Sequence, residues 1–300
     1  MPDPQNRTVS ATESPALFNA SPYLTRWMLW RKYARGDKIE PAETERMFWG
    51  KELQPLLTKR AAHDLKLEVH DNVHDHYMRH STLLMGCTRD ALIYDPNRGW
   101  GSLECKCVFD YGVWFREWQS GQVVPRHYEI QLQHQMICGD GEQPHAWGVI
   151  AAWVCGEMHY FEREPIEQFH GELLTAIGQF WASLSGPEPE PFGEAVEYPL
   201  LRELFDPPPG AVKEDPQNYK LAEIARLYKD FRANYRFYEK GAIAARLELL
   251  KAIGHDHEAL HLAGDIWVRV TKTKNNNLMV KVEIPDVLPD EIIDASEGIS

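Results

Sequence analysis

The segment "GSLECKCVFD", residues 101–110, places two charged residues inside a run that otherwise has the composition of a buried β-strand. Alternate side chains of a strand lie on the same face, so Glu104 and Lys106 share one face and Cys105 and Cys107 share the other. A carboxylate and an amine are costly in a core where valine would pack better. The pattern therefore predicts one face in the core and the other at a functional site.

The sequence around this strand predicts a mixed α/β or α+β fold. Residues 24–33 have the three- and four-residue apolar spacing of an amphipathic helix. A second helix is predicted from Pro41 to Leu65, and its predicted apolar side is Trp49, Leu53, Leu56 and Leu57. The period then changes to that of strands, which are interrupted by helices over residues 125–140 and 166–184. A sheet flanked by helices follows from this order.

The carboxyl-terminal third has a different organisation. Proline-rich linkers, "SGPEPEPFGE" and "DPPPGAVKEDP", precede a predicted long helix from Tyr219 to Ile253 and a hairpin that turns at residues 275–277. The last fifteen residues are expected to be disordered. The predicted division is a core over residues 1–205, an extension of linker, helix and hairpin over 206–285, and an acidic tail over 286–300.

Charge is distributed unevenly along the chain, whose net charge is −13. Acidic residues dominate residues 155–215 and the tail, whereas basic residues are in excess over residues 220–251 and 269–281. Because local potential attracts phosphates, a nucleic-acid surface is compatible with the negative total. Ordinary solvated faces would explain the same pattern.

No apolar run approaches the roughly 20 residues that span a bilayer, and the first residues have no apolar signal segment. We therefore expect a cytoplasmic globular protein. The five cysteines are an odd number in apolar surroundings, so we expect reduced thiols rather than a disulfide framework.

Asp90, in "GCTRDALIYD", completes the candidate site. If its strand pairs with the next as a hairpin, Asp90, Glu104 and Lys106 converge at one end of the sheet. Two carboxylates with a nearby backbone oxygen suit Mg²⁺ or Mn²⁺, and a lysine can offset charge on a phosphate. The set indicates metal-assisted phosphodiester hydrolysis; the alternative is an exposed ladder pair with no catalytic role.

Five motifs occur together in order over roughly residues 10–185: "SATESPALFNASPYLTRW", "WGKELQP", "HSTLLMGCTRDALIYD", "LECKC" and "YEIQLQHQM". This ordered set resembles the PD-(D/E)XK nucleases, and within them the lambda-exonuclease-like, YqaJ-type viral recombinases. The resemblance implies a restriction-endonuclease-like core, a central mixed sheet flanked by helices, with a helix and hairpin extension.

The resemblance assigns roles to residues of the central motifs. Asp90 and Glu104 would be metal ligands together with the backbone carbonyl of Cys105, and Lys106 would be the catalytic lysine. Gln131 resembles the glutamine that the family places near its active site.

The resemblance also names weaker candidates. Gln133 is the next candidate for the glutamine of that helix. Gln54 stands where the family usually has glutamate, and Glu52 cannot replace it because two residues turn a helix by about 200°. The family's serine for a DNA 5′-phosphate would fall near Thr12, with Arg7 as its basic partner.

The implied function is a Mg²⁺-dependent double-strand DNA exonuclease of a phage or prophage, in which Mn²⁺ substitutes. It would degrade one strand processively from 5′ to 3′, act as a ring-shaped homotrimer and work with a single-strand annealing protein. Three alternatives remain: an endonuclease on the same core, a DNA-end-binding accessory protein without activity, and a module that binds a metal or partner through two histidine groups. The groups are His70, His74, His76 and His80, and His255, His257 and His261.

Overall fold

The computed structural model describes residues 7–39, 43–70, 77–139, 144–233, 235–273 and 277–284. The chain divides into two units, residues 1–188 and 189–300. Each unit contains a sheet and its own buried cluster of apolar side chains.

The first unit contains eight strands and five α-helices within its described residues. The strands are β1 (Val9–Ser10), β2 (Glu68–His70), β3 (Met78–Arg79), β4 (Met85–Cys87), β5 (Ala91–Asp95), β6 (Gly99–Val108), β7 (Gly148–Val154) and β8 (Glu157–Arg163). The helices are α1 (Arg26–Arg35), α2 (Glu45–Leu65), α3 (Tyr111–Glu117), α4 (Arg126–Cys138) and α5 (Glu167–Ser183).

A five-stranded mixed sheet, in the order β2-β5-β6-β7-β8, is the centre of the first unit. β5 and β6 are antiparallel, whereas β6 and β7 are parallel and are joined through α3 and α4. Parallel neighbours need such a crossover, because a tight turn can only reverse the chain. Gly101 in β6 is required by close packing, since a Cβ there would lie 2.6 Å from the Trp147 ring.

The two faces of this sheet are covered by different helices. Ile150 and Ala152 of β7 pack with Leu132 of α4, whereas Val149 and Ala151 belong to the cluster that contains Ala61 of α2. Alternate side chains thus enter two separate cores, as the two-residue period of a strand requires. Because both faces are covered, β7 is apolar along its whole length.

A second layer of the first unit surrounds a small sheet in the order β1-β4-β3. Leu29 and Trp30 of α1, Met85 of β4 and Phe180 of α5 belong to one buried cluster with the helical turn Ser14–Phe18. This cluster packs the amino-terminal segment against the crossover helix, because Ile137 of α4 is one of its members.

Helix α2 differs from its predicted form in its start and its buried side. It begins at Glu45, and the Thr44 hydroxyl accepts a hydrogen bond from the Met47 N–H as its N-cap. Pro41 lies outside the described residues. Two residues of the predicted apolar side, Trp49 and Leu56, are 50% and 63% exposed, so that part of the prediction is wrong.

Leu57, which belongs to the predicted apolar side, is buried as expected, and Thr58 and Ala61 complete the buried side of α2. Sequence spacing alone did not distinguish these residues from the exposed ones, because apolar residues occur all round this helix.

The second unit is an α/β layer with a sheet in the order β12-β11-β10-β9. Its helices are α6 (Tyr198–Leu204), α7 (Tyr219–Ala233) and α8 (Tyr235–Ile253), and its strands are β9 (Val212–Asp215), β10 (Ala259–Leu262), β11 (Ile266–Lys272) and β12 (Leu278–Glu283). Leu221 of α7, Leu249 of α8 and Val268 of β11 share its buried cluster.

The predicted long helix is present as α7 and α8, on either side of Asn234, which is outside the described residues. The hairpin is present as β11 and β12, and of its predicted turn only Asn277 is described. The predicted acidic tail, residues 286–300, also lies outside the described part of the chain. The units meet at residues 188 and 189, earlier than the predicted boundary at residue 205, because Phe205 packs in the core of the second unit.

The mixed α/β class and the helix-flanked mixed sheet predicted from the sequence are confirmed. None of the helices in the described part of the chain combines the length and apolar character that a bilayer crossing requires. All five cysteines are free thiols.

His134 of α4 makes the fold sensitive to acid. Its ring is fully buried, Nε2 donates to the Gly86 carbonyl oxygen at 3.0 Å, and Nδ1 has no partner among the described residues. Burial lowers the pKa of His134 to about 3. Between that value and the ordinary pKa of 6.5, the unfolded chain binds a proton that the folded chain does not, so stability falls as the pH falls.

We expect this histidine to remove about 2 kcal/mol of the free energy of unfolding between pH 7 and pH 5. His134→Gln should lose that part of the pH dependence, as measured by urea unfolding at the two pH values. His63→Gln is the matched control, because the His63 side chain is 83% exposed. Equal pH dependence in the wild type and His134→Gln would contradict the assignment.

Candidate active site

The hairpin of β5 and β6 brings the two predicted carboxylates together. Ala91 pairs with Leu103, so Asp90 and Glu104 lie immediately beyond the same rung of the ladder. Asp90 Oδ2 accepts a hydrogen bond from the Cys105 backbone N–H at 2.7 Å. If β5 continued as a strand, a backbone carbonyl oxygen would accept this hydrogen bond from Cys105. The side chain of Asp90 accepts it instead.

Lys106 contacts one of the two carboxylates, Glu104, through its ammonium group. Its Nζ lies 2.5 Å from Glu104 Oε1 and donates to Gln131 Oε1 at 2.9 Å. The ammonium also lies 4.6 Å from the centre of the Tyr128 ring, within range of a cation–π interaction. Glu104 and Lys106 thus share a face of β6 as predicted, and that face is covered by α4.

The other face of β6 contains the predicted core side. Cys105 packs against the cluster of Ala61 and Leu103, and its Sγ lies 3.6 Å from the Thr58 hydroxyl. Burial raises the pKa of the Cys105 thiol, so this thiol is neutral. Its predicted role, as the residue whose backbone carbonyl is a metal ligand, stays a prediction.

Helix α4 supplies amide groups to this site at a four-residue interval. Gln131 Nε2 donates to Glu104 Oε1 at 2.6 Å, and Gln135 Nε2 donates to Glu104 Oε2 at 2.6 Å. Residues four apart lie on one side of a helix, so both amides face β6.

Gln135 was not among the predicted site residues, although its spacing from Gln131 was a signal that could have identified it. Gln133 faces elsewhere: its amide donates to the Glu164 carbonyl oxygen at 3.0 Å and accepts from the Ile166 N–H at 3.0 Å. It also lies 2.7 Å from His170 Nε2 and secures the start of α5. The structure therefore does not bring Gln133 to the carboxylates.

Gln54 of α2 contacts the site from the other side. Its Nε2 donates to Asp90 Oδ1 at 2.8 Å, so both oxygens of Asp90 accept hydrogen bonds from neutral donors. Glu52 is exposed, in agreement with the helical rotation that separates the two positions. The position next to Asp90 is therefore occupied by an amide, and α2 adds no carboxylate.

The electrostatics of the site show a shortage of positive charge. Burial, and then the charge of Glu104, raise the pKa of Asp90 to about 8. Burial lowers the pKa of Lys106, but the negative charges of Glu104 and Asp90 raise it by more. The pKa of Lys106 is therefore above its ordinary value, and the amine remains protonated. Lys106 thus neutralises one of the two acids, and Asp90 retains near neutral pH a proton that a bound cation would replace.

The donors available for that cation are carboxylate oxygens and a backbone carbonyl, which are hard ligands of the kind that Mg²⁺ and Mn²⁺ prefer. Within the described ranges, no group of three or more His, Cys, Asp or Glu side chains could hold a metal ion. The donor set therefore fits a hard ion bound by Asp90 and Glu104 and completed by oxygen ligands from elsewhere.

The predicted 5′-phosphate residues lie in the amino-terminal segment. Thr12 is exposed and its hydroxyl lies 3.1 Å from the Ser10 hydroxyl, whereas Arg7 donates to the Tyr33 carbonyl oxygen at 2.5 Å. Thr12 and Arg7 thus make separate contacts. In the same segment, Glu13 accepts hydrogen bonds from Ser10 and Tyr33. It also forms an ion pair with Lys32 at 2.8 Å.

The histidine groups form no metal cluster within the described residues. His70 is exposed and packs its ring edge against Trp100, while His74 and His76 lie outside the described residues. His261 stacks on Trp267 and lies 2.6 Å from Glu214 Oε2, an exposed ion pair of the second unit.

The basic segments of the second unit are partly neutralised by their neighbours. Glu283 forms ion pairs with Arg269 at 3.3 Å and with Lys281 at 2.8 Å, and Glu223 pairs with Arg226 at 2.7 Å. Three basic side chains of these segments are thus paired with acids within the described part of the chain.

Comparisons with solved structures give matches at low sequence identity. Two crystal structures of an alkaline exonuclease (LHK-Exo) from Laribacter hongkongensis are similar, each at 19% identity. One, with a TM-score of 0.47, covers 59% of this chain and 88% of that chain. The other, in complex with dAMP, has a TM-score of 0.49 and covers 60% and 89%. The comparison with curated proteins gives no match.

The comparison with protein families gives a match over the amino-terminal part of the chain. Residues 4–142 match the YqaJ-like viral recombinase domain. The matched range contains Asp90 and the three residues that the structure joins through hydrogen bonds, Glu104, Lys106 and Gln131. The family model thus matches the part of the first unit that contains these residues, and it is the model of the family that the motifs resemble.

Proposed function

We propose that this protein is a metal-dependent double-strand DNA exonuclease that degrades one strand processively from 5′ to 3′ and leaves single-stranded DNA for recombination. The observation that carries the proposal is the arrangement at one end of the hairpin, where Lys106 and Gln131 are hydrogen-bonded to Glu104 and Asp90 accepts from the Cys105 N–H. The domain match supports a nuclease. The direction and processivity rest on the resemblance to lambda-exonuclease-like proteins.

The chemistry follows from the groups that the site contains. Asp90 and Glu104 would hold Mg²⁺, or Mn²⁺ in its place, and such an ion polarises a phosphoryl oxygen and lowers the pKa of a bound water. Lys106, kept protonated by the two acids, offsets the negative charge that develops on the phosphate. Gln131 holds the ammonium at 2.9 Å, which fixes its direction.

The hydrogen bond between Gln54 and Asp90 favours one ion over two. A second ion would need another carboxylate beside Asp90, and the amide of Gln54 is the group found there. A neutral amide binds a divalent ion more weakly than a carboxylate does. We therefore propose one tightly bound ion.

The biological setting is proposed from the resemblance. The protein would be encoded by a phage or prophage and act in the bacterial cytoplasm. It would form a ring-shaped homotrimer around DNA and pass its single-stranded product to a single-strand annealing protein. The basic residues over 220–251 and 269–281 would add contacts to the DNA backbone. Three of them, Arg226, Arg269 and Lys281, form ion pairs within the chain.

Two other functions use the same groups. An endonuclease would need no DNA end, and the exposed Thr12 is the residue proposed here to recognise the phosphate of such an end. A DNA-end-binding accessory protein without activity is favoured by one observation, the amide of Gln54 in the place of an acid.

The first experiment is a digestion of linear and circular forms of one double-stranded DNA, labelled at the 5′ or 3′ ends of the linear form. With Mg²⁺, we expect loss of the linear form alone with early release of 5′ label, and no loss with EDTA. Cutting of the circle would identify an endonuclease. Binding of linear DNA without cutting in Mg²⁺ or Mn²⁺ would identify the accessory protein.

Lys106→Ala tests the chemical role of the ammonium group. We expect DNA cleavage to fall by about 10²- to 10⁴-fold, because the charge beside the phosphate is lost. DNA binding, measured by fluorescence anisotropy, should remain. Lys59→Ala is the matched control because Lys59 is an exposed lysine of α2. Wild-type cleavage by Lys106→Ala would exclude this lysine from the reaction.

Gln54→Glu tests the number of ions. A third carboxylate beside Asp90 should raise the stoichiometry of Mn²⁺ binding, measured by calorimetry, from one to two. Without metal, the variant should unfold at a lower urea concentration because of repulsion from Asp90. Glu52→Gln, an exposed change on the same helix, should alter neither quantity. Unchanged stoichiometry in Gln54→Glu would show that this position does not reach the ion.

A further inference from the structure

Glu104 is held at both of its oxygens. Glu104 is 3% exposed, and its Oε1 lies within hydrogen-bonding distance of Lys106 Nζ and Gln131 Nε2. Its Oε2 accepts a hydrogen bond from Gln135 Nε2 at 2.6 Å. The orientation of the carboxylate plane is thus determined from two directions.

The glutamines that contact the two oxygens of Glu104 differ in whether they also contact Lys106. Gln131 also accepts a hydrogen bond from Lys106, so it contacts both the lysine and the carboxylate. Gln135 makes no contact with Lys106 in its described interactions, and its other neighbour is the Thr88 carbonyl oxygen at 3.4 Å. The contact of Gln135 with Oε2 can therefore persist when Lys106 turns toward a phosphate.

The burial of Gln135 shows that its amide is not explained by packing. The residue is 0% exposed, and its Oε1 has no hydrogen-bond partner among the described residues. A buried acceptor without a partner is unfavourable, and leucine or methionine would fill the same space without that cost. The group that benefits from the amide is Glu104.

We propose that Gln135 is a positioning residue of the active site, which holds Oε2 of Glu104 so that the carboxylate keeps its orientation when it binds a divalent ion. The inference rests on the proposed function, because it requires Glu104 to be a metal ligand. It adds a residue outside the chemical step, since Gln135 acts on the ion through Glu104. Residues that orient metal ligands typically change metal affinity by about 10- to 100-fold when they are replaced.

The test is calorimetric titration of the full chain with Mn²⁺ in the absence of DNA. Gln135→Met keeps nearly the same length and removes the donor, and it should weaken Mn²⁺ binding by about tenfold or more. Gln135→Asn is the second variant, because it keeps a buried amide and withdraws the donor from Glu104 without adding volume. It should show the same direction of change.

Gln133→Met is the matched control, since Gln133 is also fully buried on α4 and makes its hydrogen bonds away from Glu104. It should lower the melting temperature and leave the Mn²⁺ dissociation constant unchanged. A loss of Mn²⁺ affinity in Gln133→Met as large as that in Gln135→Met would overturn the proposal, because it would indicate a general structural effect.

The outcomes separate this inference from the proposed function. If the wild type binds Mn²⁺ and degrades linear DNA, and either folded Gln135 variant binds Mn²⁺ as tightly as the wild type, the positioning role alone is rejected. If the wild type neither binds Mn²⁺ nor cuts DNA, the proposed nuclease function fails and the role of Gln135 fails with it. Weaker Mn²⁺ binding in both Gln135 variants, with the control unchanged, supports the proposal.

Discussion

The pairing of β5 with β6 is the interaction on which the candidate site depends. It places Asp90 against the Cys105 N–H and beside Glu104, and it leaves Lys106 one step further along the same face. A shift of this register by one residue would move Glu104 and Lys106 to the opposite face, among the apolar side chains of the α2 cluster. The register is fixed by close packing at Gly101, where a side chain would collide with Trp147.

The site exists because a core helix carries polar groups toward a buried face. On α4, Leu132 and Met136 pack against the sheet, while Gln131 and Gln135 hold Glu104. The carboxylate is therefore buried without being left unsatisfied, which is the condition under which a buried charge is tolerated. Residues that pack in the core and residues that contact Glu104 therefore occupy adjacent positions of α4.

Sequence reasoning located the acids, the lysine and the fold class because each depends on a short-range pattern. The two-residue period placed Glu104 and Lys106 on one face, and turn residues between the strands indicated the hairpin. The buried side of α2 and the orientation of Gln133 were beyond such patterns, since they depend on which neighbour each side chain meets. Gln135 was overlooked although it lies four residues from Gln131, because that spacing indicates a shared helix face and does not identify the partner of the amide.

The order of contacts along the chain has a consequence for folding. Asp90 and Glu104 meet through a local hairpin, whereas the glutamines reach them only after α4 has crossed over the sheet. Local contacts form with a smaller loss of chain entropy than distant ones. We therefore expect the hairpin to bring the two carboxylates together before the helix that contacts Glu104 has docked. Their mutual repulsion would then slow the docking step at neutral pH, and divalent ions present during refolding would relieve it.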